Sequence, residues 1–344
     1  MMDRRAGARQ TGRMRSLRRI AAAGTLALGL AVAGGACTGL LPGAGDDPLS
    51  RALAVTPAGQ GAETEMYVSD IATARALGAF EDADSPFAAL GTGGLGPFRQ
   101  YALAAPEQIP SPEAEEAIAV SIGRPPSASF RFSGMDPEAL DRLFAHHDAG
   151  REDVGEGELL VRRGPGELDI ADPLGTPASL GYYNAVWYTD DVLAGSPDEA
   201  ITRAWGDPET TLAEAGTYEE LAGCLGEDVV GAYLSHEGAS IDPLPGGVTG
   251  LATATSGTSA EDWQDVLCLE LPDEASAQGL ADVVEANVSG GADPITARPW
   301  SEILGDADVE VIGSQVRVTS QARGGIFLTV ISQQALPGLL AAQP

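Results

Sequence analysis

The sequence predicts an α+β protein with mainly antiparallel sheets and helices on one face. Three observations support this class: runs that alternate apolar and polar residues, well-marked helix starts, and groups of strands around single helices. With 344 residues, the chain is long enough for one large domain or two smaller ones. Hydrophobic residues make up 44% of it, which argues against a wholly disordered protein.

Several helices have clear starts in the sequence. Asp136 stands before a proline, which suits the first helical position, and an apolar helical spacing follows. Asp273 can cap a second helix that ends at the glycine pair 290–291. Capping-box patterns at 196–199 and 217–220 predict two further starts.

Strands are predicted on both sides of the helices that begin at Asp136 and Asp273. They span 117–123, 127–134, 157–163, 167–170 and 184–192 in the first half, and 249–255, 265–271, 308–312, 315–320 and 326–332 in the second. Both halves therefore follow a β-β-α-β-β-β pattern with near-constant offsets. This pattern indicates an internal duplication, with subdomains at 62–195 and 196–344. The alternative is a single α+β domain whose pattern looks repeated because strands are common.

The N-terminus has the three parts of a secretory signal peptide. Seven arginines lie in the first 19 residues, an apolar uncharged run covers 20–36, and small residues precede Cys37. This end of the chain resembles bacterial lipoprotein precursors, of an actinobacterial type by its arginine-only basic residues. Its box departs from the usual one, because Gly34 and Gly35 replace a branched apolar residue and Ala or Ser.

The resemblance implies a signal peptide at 1–36, cleavage after Ala36 and lipid attachment at Cys37. The Gly-, Pro- and Ala-rich stretch 37–61 would then be a flexible tether. We expect the protein to be held by its lipid at the extracytoplasmic face of the cell membrane, and to be secreted if Cys37 is not modified. An uncleaved membrane anchor is the other alternative.

The charge of the chain restricts its partners. The formal net charge is −30, so nucleic acid is excluded as a partner and anionic lipid head groups would repel the protein. Cationic ligands or divalent ions would be attracted by a diffuse field. With Cys37 assigned to the lipid, Cys224 and Cys268 are predicted to form a disulfide outside the cytoplasm. Two buried free thiols are the alternative.

We assign no catalytic residue, no metal site and no cofactor from the sequence. The segment 91–96 fits the spacing G-x-G-x-x-G, but a strand before it and a helix after it are missing. His146 and His147 are adjacent and cannot bind one metal from a helix. His236 is interpreted as a helix-end residue.

One aromatic and acidic cluster could hold a ligand. Tyr183 and Trp187 precede Asp190 and Asp191, and such a set could bind a sugar or a cationic group. The alternative is ordinary core packing of the two aromatic residues.

The predicted function is a non-catalytic binding or accessory module of the cell envelope. Its partner would be an envelope protein or a small-molecule ligand. The alternatives are an envelope-associated hydrolase and a carrier of a lipid-like ligand.

The lipid anchor can be tested by intact mass. We expect the protein from membrane fractions to have the mass of a chain cleaved before Cys37 plus acyl chains. The Cys37→Ala variant should lose the added mass and leave the membrane fraction. An unmodified wild-type protein found in the medium would contradict the assignment.

Overall fold

All twelve described strands join one antiparallel sheet. The computed structural model describes residues 47–59, 61–96, 116–123, 128–144, 150–167, 181–236 and 245–342. The strands are β1 (Met66–Asp70), β2 (Ile118–Ile122), β3 (Ser129–Phe132), β4 (Gly150–Val154), β5 (Gly157–Val161), β6 (Ala185–Tyr188), β7 (Leu193–Ser196), β8 (Val229–His236), β9 (Gly250–Gly257), β10 (Trp263–Glu270), β11 (Asp308–Ile312) and β12 (Gln315–Ser320). The predicted signal peptide, Cys37, the two histidines at 146–147 and most of the strand predicted at 167–170 lie outside these residues.

Ten helices are present in the described ranges. They are α1 (Pro48–Val55), α2 (Ile71–Ala76), α3 (Pro137–Phe144), α4 (Glu199–Gly206), α5 (Leu212–Ala215), α6 (Glu219–Leu225), α7 (Glu274–Gly290), α8 (Trp300–Leu304), α9 (Ile326–Ser332) and α10 (Leu336–Leu340). Within the same ranges, none of the helices combines the length and the apolar character needed to cross a bilayer. The predicted α+β class with a mainly antiparallel sheet is confirmed.

The strand order joins the two predicted subdomains edge to edge. It runs β11-β12-β10-β9-β8-β1-β2-β3-β7-β6-β5-β4, so β1 and β8 pair at the junction. In each half, three strands (β1–β3 and β8–β10) precede a helix (α3 and α7). A later strand (β7 and β12) then pairs with the third of these strands. The predicted β-β-α-β-β-β pattern did not include β1 and β8, which are the first strands of the two halves.

Helices cover both faces of the sheet, whereas the sequence predicted them on one face. The face packed by α1, α4, α5 and α6 is called the α1 face, and the face packed by α3 and α7–α10 is called the α7 face. Strand β10 shows the reason, because it is apolar on both sides: Cys268 packs in one core and Leu267 in the other.

The segment predicted as a final strand is helix α9. Its residues are mostly β-branched or aromatic, which favours a strand when propensity alone is considered. Gly325 precedes it with φ +69°, and Ile326, Phe327, Val330 and Ile331 are buried at helical spacing. Tertiary packing therefore overrides the local preference.

Helix α1 shortens the tether that was predicted for 37–61. Asp47 caps it by accepting hydrogen bonds from the amides of Leu49 and Ser50. Leu49, Ala52 and Leu53 are buried against the sheet. The folded part therefore begins inside the predicted tether.

The glycine-rich segment 91–96 lies flat on the α7 face. The Ser69 hydroxyl donates to the Leu90 carbonyl at 2.7 Å and accepts from the Gly94 amide at 2.8 Å. A Cβ on Gly94 would lie 2.2 Å from the carbonyl oxygen of Ala119, so only glycine fits there. The sequence motif is explained by this close approach of the loop to β1 and β2.

Asp265 is a fully buried carboxyl group that fastens α9 to the sheet. One oxygen accepts from the Thr255 hydroxyl at 2.5 Å, and the other accepts from the Ile326 amide at 2.5 Å. Burial raises the pKa of Asp265 from 3.8 to about 7, although these hydrogen bonds act in the opposite direction. The group therefore changes its charge near neutral pH.

Asp265→Asn should remove a pH-dependent part of the stability. The folded chain keeps the Asp265 proton up to about pH 7, whereas the unfolded chain loses it near pH 3.8. The free energy of unfolding should therefore decline as pH rises between these values, by on the order of 4 kcal/mol. Asparagine can still accept from Ile326 and donate to Thr255, so the decline should be smaller in the variant.

Urea unfolding at several pH values between these limits measures this difference. The exposed Asp306→Asn change serves as the control. If the gap between wild type and Asp265→Asn stays constant with pH, the titration of Asp265 is not the cause.

Candidate functional site

A cavity of about 620 Å³ lies at one end of the central strands, on the α1 face. Four carboxylates and one imidazole line it, together with two threonine hydroxyls and a leucine: Glu63, Thr64, Thr217, Glu219, Glu220, Leu221, His236 and Glu270. We call this the acidic cavity. Its volume is in the range of small-molecule sites.

The base of the acidic cavity is a row of three residues on three adjacent strands. His236 ends β8, Gly250 begins β9, and Glu270 ends β10, and Gly250 is the Cα partner of both others. The His236 Nε2 and Glu270 Oε2 atoms approach to 3.5 Å across the glycine. A residue two strands away is normally out of reach, so the contact depends on the missing side chain between them.

A side chain at position 250 would disturb this arrangement. A Cβ at this position would lie 2.8 Å from Glu270 Oε2 and 3.0 Å from His236 Cδ2. It would also lie 3.2 Å from Leu221 Cδ1 in α6. A larger side chain would therefore force the Glu270, His236 or Leu221 side chain to shift, and glycine leaves room for the His236–Glu270 contact.

The turn before β1 forms a second wall. The His236 amide donates to the Glu63 carbonyl at 3.0 Å, and the Ser235 hydroxyl donates to the Thr64 carbonyl at 2.6 Å. The Glu63 carboxylate also accepts from the Gly59 amide. The position of Glu63 and Thr64 is thus fixed by β8.

Helix α6 forms the third wall and is fixed by the predicted disulfide. Cys224 in α6 is bonded to Cys268 in β10, which confirms the prediction. Glu220 lies one turn before Cys224, and Glu270 lies two residues after Cys268 on the same face of β10. The disulfide therefore holds the first turn of α6 over the His236–Glu270 pair.

Glu270 lies at the base of this cavity, and its pKa is raised. Burial raises its pKa, the charge of Glu220 raises it further, and His236 lowers it. Its side chain is only 22% exposed. A carboxylate in this position lacks a full counter-charge, so a cation that enters the cavity would stabilise its charged form.

Tyr218 is a buried residue that packs against His236. Its hydroxyl donates to the Ala62 carbonyl at 2.7 Å, and its ring meets the His236 ring edge-on at 6.5 Å between centroids. Burial raises the pKa of Tyr218, so its hydroxyl keeps its proton at neutral pH. It positions the turn before β1 and does not supply charge.

The aromatic and acidic cluster predicted as a ligand patch is divided between different parts of the fold. Tyr183 is buried on the α7 face, and Trp187 is buried on the α1 face with its indole N–H donating to the Val154 carbonyl. Asp190 and Asp191 are exposed, and Asp191 lines a second cavity. The structure does not bring the four residues together.

Sequence reasoning missed the acidic cavity because it placed His236 at the end of a helix. The capping box predicted at 217–220 is also displaced: the observed one joins Thr211 and Glu214 at the start of α5. One signal was available, since Glu270 follows Cys268 at the strand period and should share its face. Nothing in the sequence places His236 beside it.

Two observations concern the chemistry that the side chains around the acidic cavity could support. Among the residues that the structure describes, no group of three or more His, Cys, Asp or Glu side chains is arranged to hold a metal ion. In the same part of the chain, no hydroxyl group hydrogen-bonds the His236 ring.

Comparisons with protein-family models, curated proteins and solved structures gave no match for this chain.

The charges around Glu270 can be tested by substitution. Glu220→Gln should lower the pKa of Glu270, because it removes a like charge, and His236→Asn should raise it, because it removes a partial counter-charge. NMR titration of carboxyl-labelled glutamate measures both shifts. Glu285→Gln, on α7 and the opposite face, should leave the Glu270 titration unchanged. If the Glu270 titration curve is the same in Glu220→Gln, His236→Asn and Glu285→Gln as in the wild type, this electrostatic description is contradicted.

Proposed function

We propose that this chain is a lipid-anchored binding protein of the cell envelope and that the acidic cavity takes a small organic cation. The observation that carries the proposal is the half-buried Glu270, whose charge is opposed by burial and by Glu220. An ammonium or guanidinium group beside Glu270 and Glu220 would supply the missing counter-charge. Charge-assisted hydrogen bonds of this kind are among the stronger polar contacts in proteins.

An organic cation fits better than a bare metal ion. The cavity is several times larger than an ion requires, and the described carboxylates do not converge as metal ligands do. The threonine hydroxyls of Thr64 and Thr217 can contact polar groups in the rest of the ligand. The acidic chain as a whole attracts cations toward the entrance.

The two alternative functions have less support from this cavity. A hydrolase of the triad type needs a nucleophile in hydrogen-bond contact with its base, and His236 has no such partner among the described hydroxyls. A lipid carrier needs an apolar lining, whereas four carboxylates surround this cavity. The lining of the acidic cavity therefore supports the binding of a cation more directly than it supports either alternative.

Calorimetric titration of the mature chain tests the proposal. The probes are 1,4-diaminobutane and agmatine, and the neutral control is 1,4-butanediol. We expect both cations to bind and the diol not to bind. Glu270→Gln should weaken binding roughly ten- to hundredfold, as expected for one charge-assisted hydrogen bond. Glu285→Gln is the matched control and should bind like the wild type.

The pH dependence follows from the direction of the Glu270 shift. Glu270 must be deprotonated to bind a cation, and its raised pKa means that protonation begins at a higher pH than for an ordinary glutamate. Binding should therefore weaken as pH falls through that pKa, and it should release protons into the buffer. Binding of the diol with equal affinity, or unchanged affinity in Glu270→Gln, would refute the proposed function.

A further inference from the structure

A second cavity, of about 530 Å³, lies between α1 and the adjoining strands β2 and β3. Its charged lining consists of two arginines and two acids: Arg51, Arg131, Glu116 and Asp191. We call it the arginine cavity. It is separate in sequence from the acidic cavity and shares no lining residue with it.

Arg131 is a mid-sheet guanidinium with no counter-ion in contact. It lies on β3 between Val120 and Ala194, which are both core residues of the α1 face. No described residue accepts a hydrogen bond from Arg131 or forms an ion pair with it within 4.0 Å. Burial lowers the pKa of Arg131, and the more distant charge of Asp191 partly offsets this. An arginine stays charged in proteins, so its donors need acceptors.

Arg51 is also incompletely paired. Its nearest acid is Glu116, at 3.7 Å, and the Glu116 side chain is 87% exposed. The buried Nε atom of Arg51 has no hydrogen-bond partner. The contrast is Arg203 on α4, which donates to Glu152 at 2.7 and 2.9 Å and to Glu199 at 2.8 Å.

Asp191 does not form an ion pair with Arg131 or Arg51. Its carboxylate accepts from the Thr189 hydroxyl at 3.2 Å, in a turn before β7, and it is exposed. The Ser133 hydroxyl is likewise engaged, since it accepts from the Ile118 amide at 2.9 Å. The cavity is therefore lined by the half-buried Arg131 guanidinium and by the buried Nε atom of Arg51, and no described residue accepts a hydrogen bond from either. The part of a charged group that is withdrawn from water needs an acceptor.

We propose that the arginine cavity binds the carboxylate group of a small-molecule ligand. The planar donor edge of Arg131 matches the two oxygens of a carboxylate, and Arg51 supplies a second positive charge from α1. A singly charged group is favoured over a phosphate dianion, because Glu116 and Asp191 also line the cavity and would repel a second negative charge. This site is independent of the cation site proposed above.

The test uses the mature chain and small probes. N-Acetylglycine provides a carboxylate, N-acetylglycinamide is its neutral analogue, and inorganic phosphate is the competing anion. Binding is measured by NMR titration and by thermal shift at low ionic strength. We expect N-acetylglycine to bind and to raise Tm, the amide to have no effect, and phosphate to bind more weakly.

Two variants separate a ligand site from a structural arginine. Arg131→Met should weaken N-acetylglycine binding at least roughly tenfold. It should also raise Tm without ligand, because it replaces a half-buried charge that no described residue pairs with by an apolar side chain between Val120 and Ala194. Arg142→Gln is the control, since Arg142 is exposed and already lies near Asp136 and Glu138. It should bind like the wild type.

Several outcomes would overturn the proposal. They are equal effects of the acid and its amide, unchanged binding in Arg131→Met, no response of the wild type to N-acetylglycine, and tighter binding of phosphate. A lower Tm in Arg131→Met would assign a structural role to Arg131. If that variant does not fold, Arg51→Gln, at a partly exposed position, is expected to weaken binding and replaces it in the test.

Discussion

The continuity of the sheet depends on one five-residue strand, β1. It pairs with β8 on one side and with β2 on the other, and it is the junction between the strands of the two halves. The register that pairs Met66 with Leu234 also brings the turn before β1 to the end of β8. Glu63 and Thr64 therefore meet His236 only because β1 and β8 are paired. The acidic cavity is built from both halves of the chain, and neither half would form it alone.

The disulfide provides the second fixed point of that cavity. It closes a loop with a sequence separation of 44, which stabilises the fold by on the order of 4 kcal/mol in the chain-entropy model. For the acidic cavity, the position of the disulfide matters more than the stability that it adds. Helix α6 is short, and a seven-residue helix is not stable by itself. Because Cys224 is bonded to the strand that carries Glu270, the like charges of Glu220 and Glu270 are held together despite their repulsion.

Much of the fold could be predicted from local patterns, but the site could not. Strands β11 and β12 and helix α7 follow directly from alternation and from the Asp273 cap, since these signals lie within a few residues. The prediction of a strand at 326–332 was wrong, because the Asp265 carboxylate that anchors helix α9 is 61 residues away in the sequence. His236 and Glu270 meet through the register of three strands over Gly250, and no pairwise spacing in a sequence encodes that register. The internal duplication stays a prediction.

The two cavities differ in charge: four carboxylates and one imidazole line the acidic cavity, whereas two arginines and two acids line the arginine cavity. The net charge of −30 produces a diffuse field that favours a cation near the acidic cavity and disfavours an anion near the arginine cavity. This field is screened over about 8 Å at physiological salt. A carboxylate in direct contact with Arg131 lies inside that distance and in a partly desolvated site, where the local interaction is stronger than the screened field. An anion site on this acidic chain therefore depends on direct contact with a half-buried arginine that no described residue pairs with, and Arg131 is such a residue.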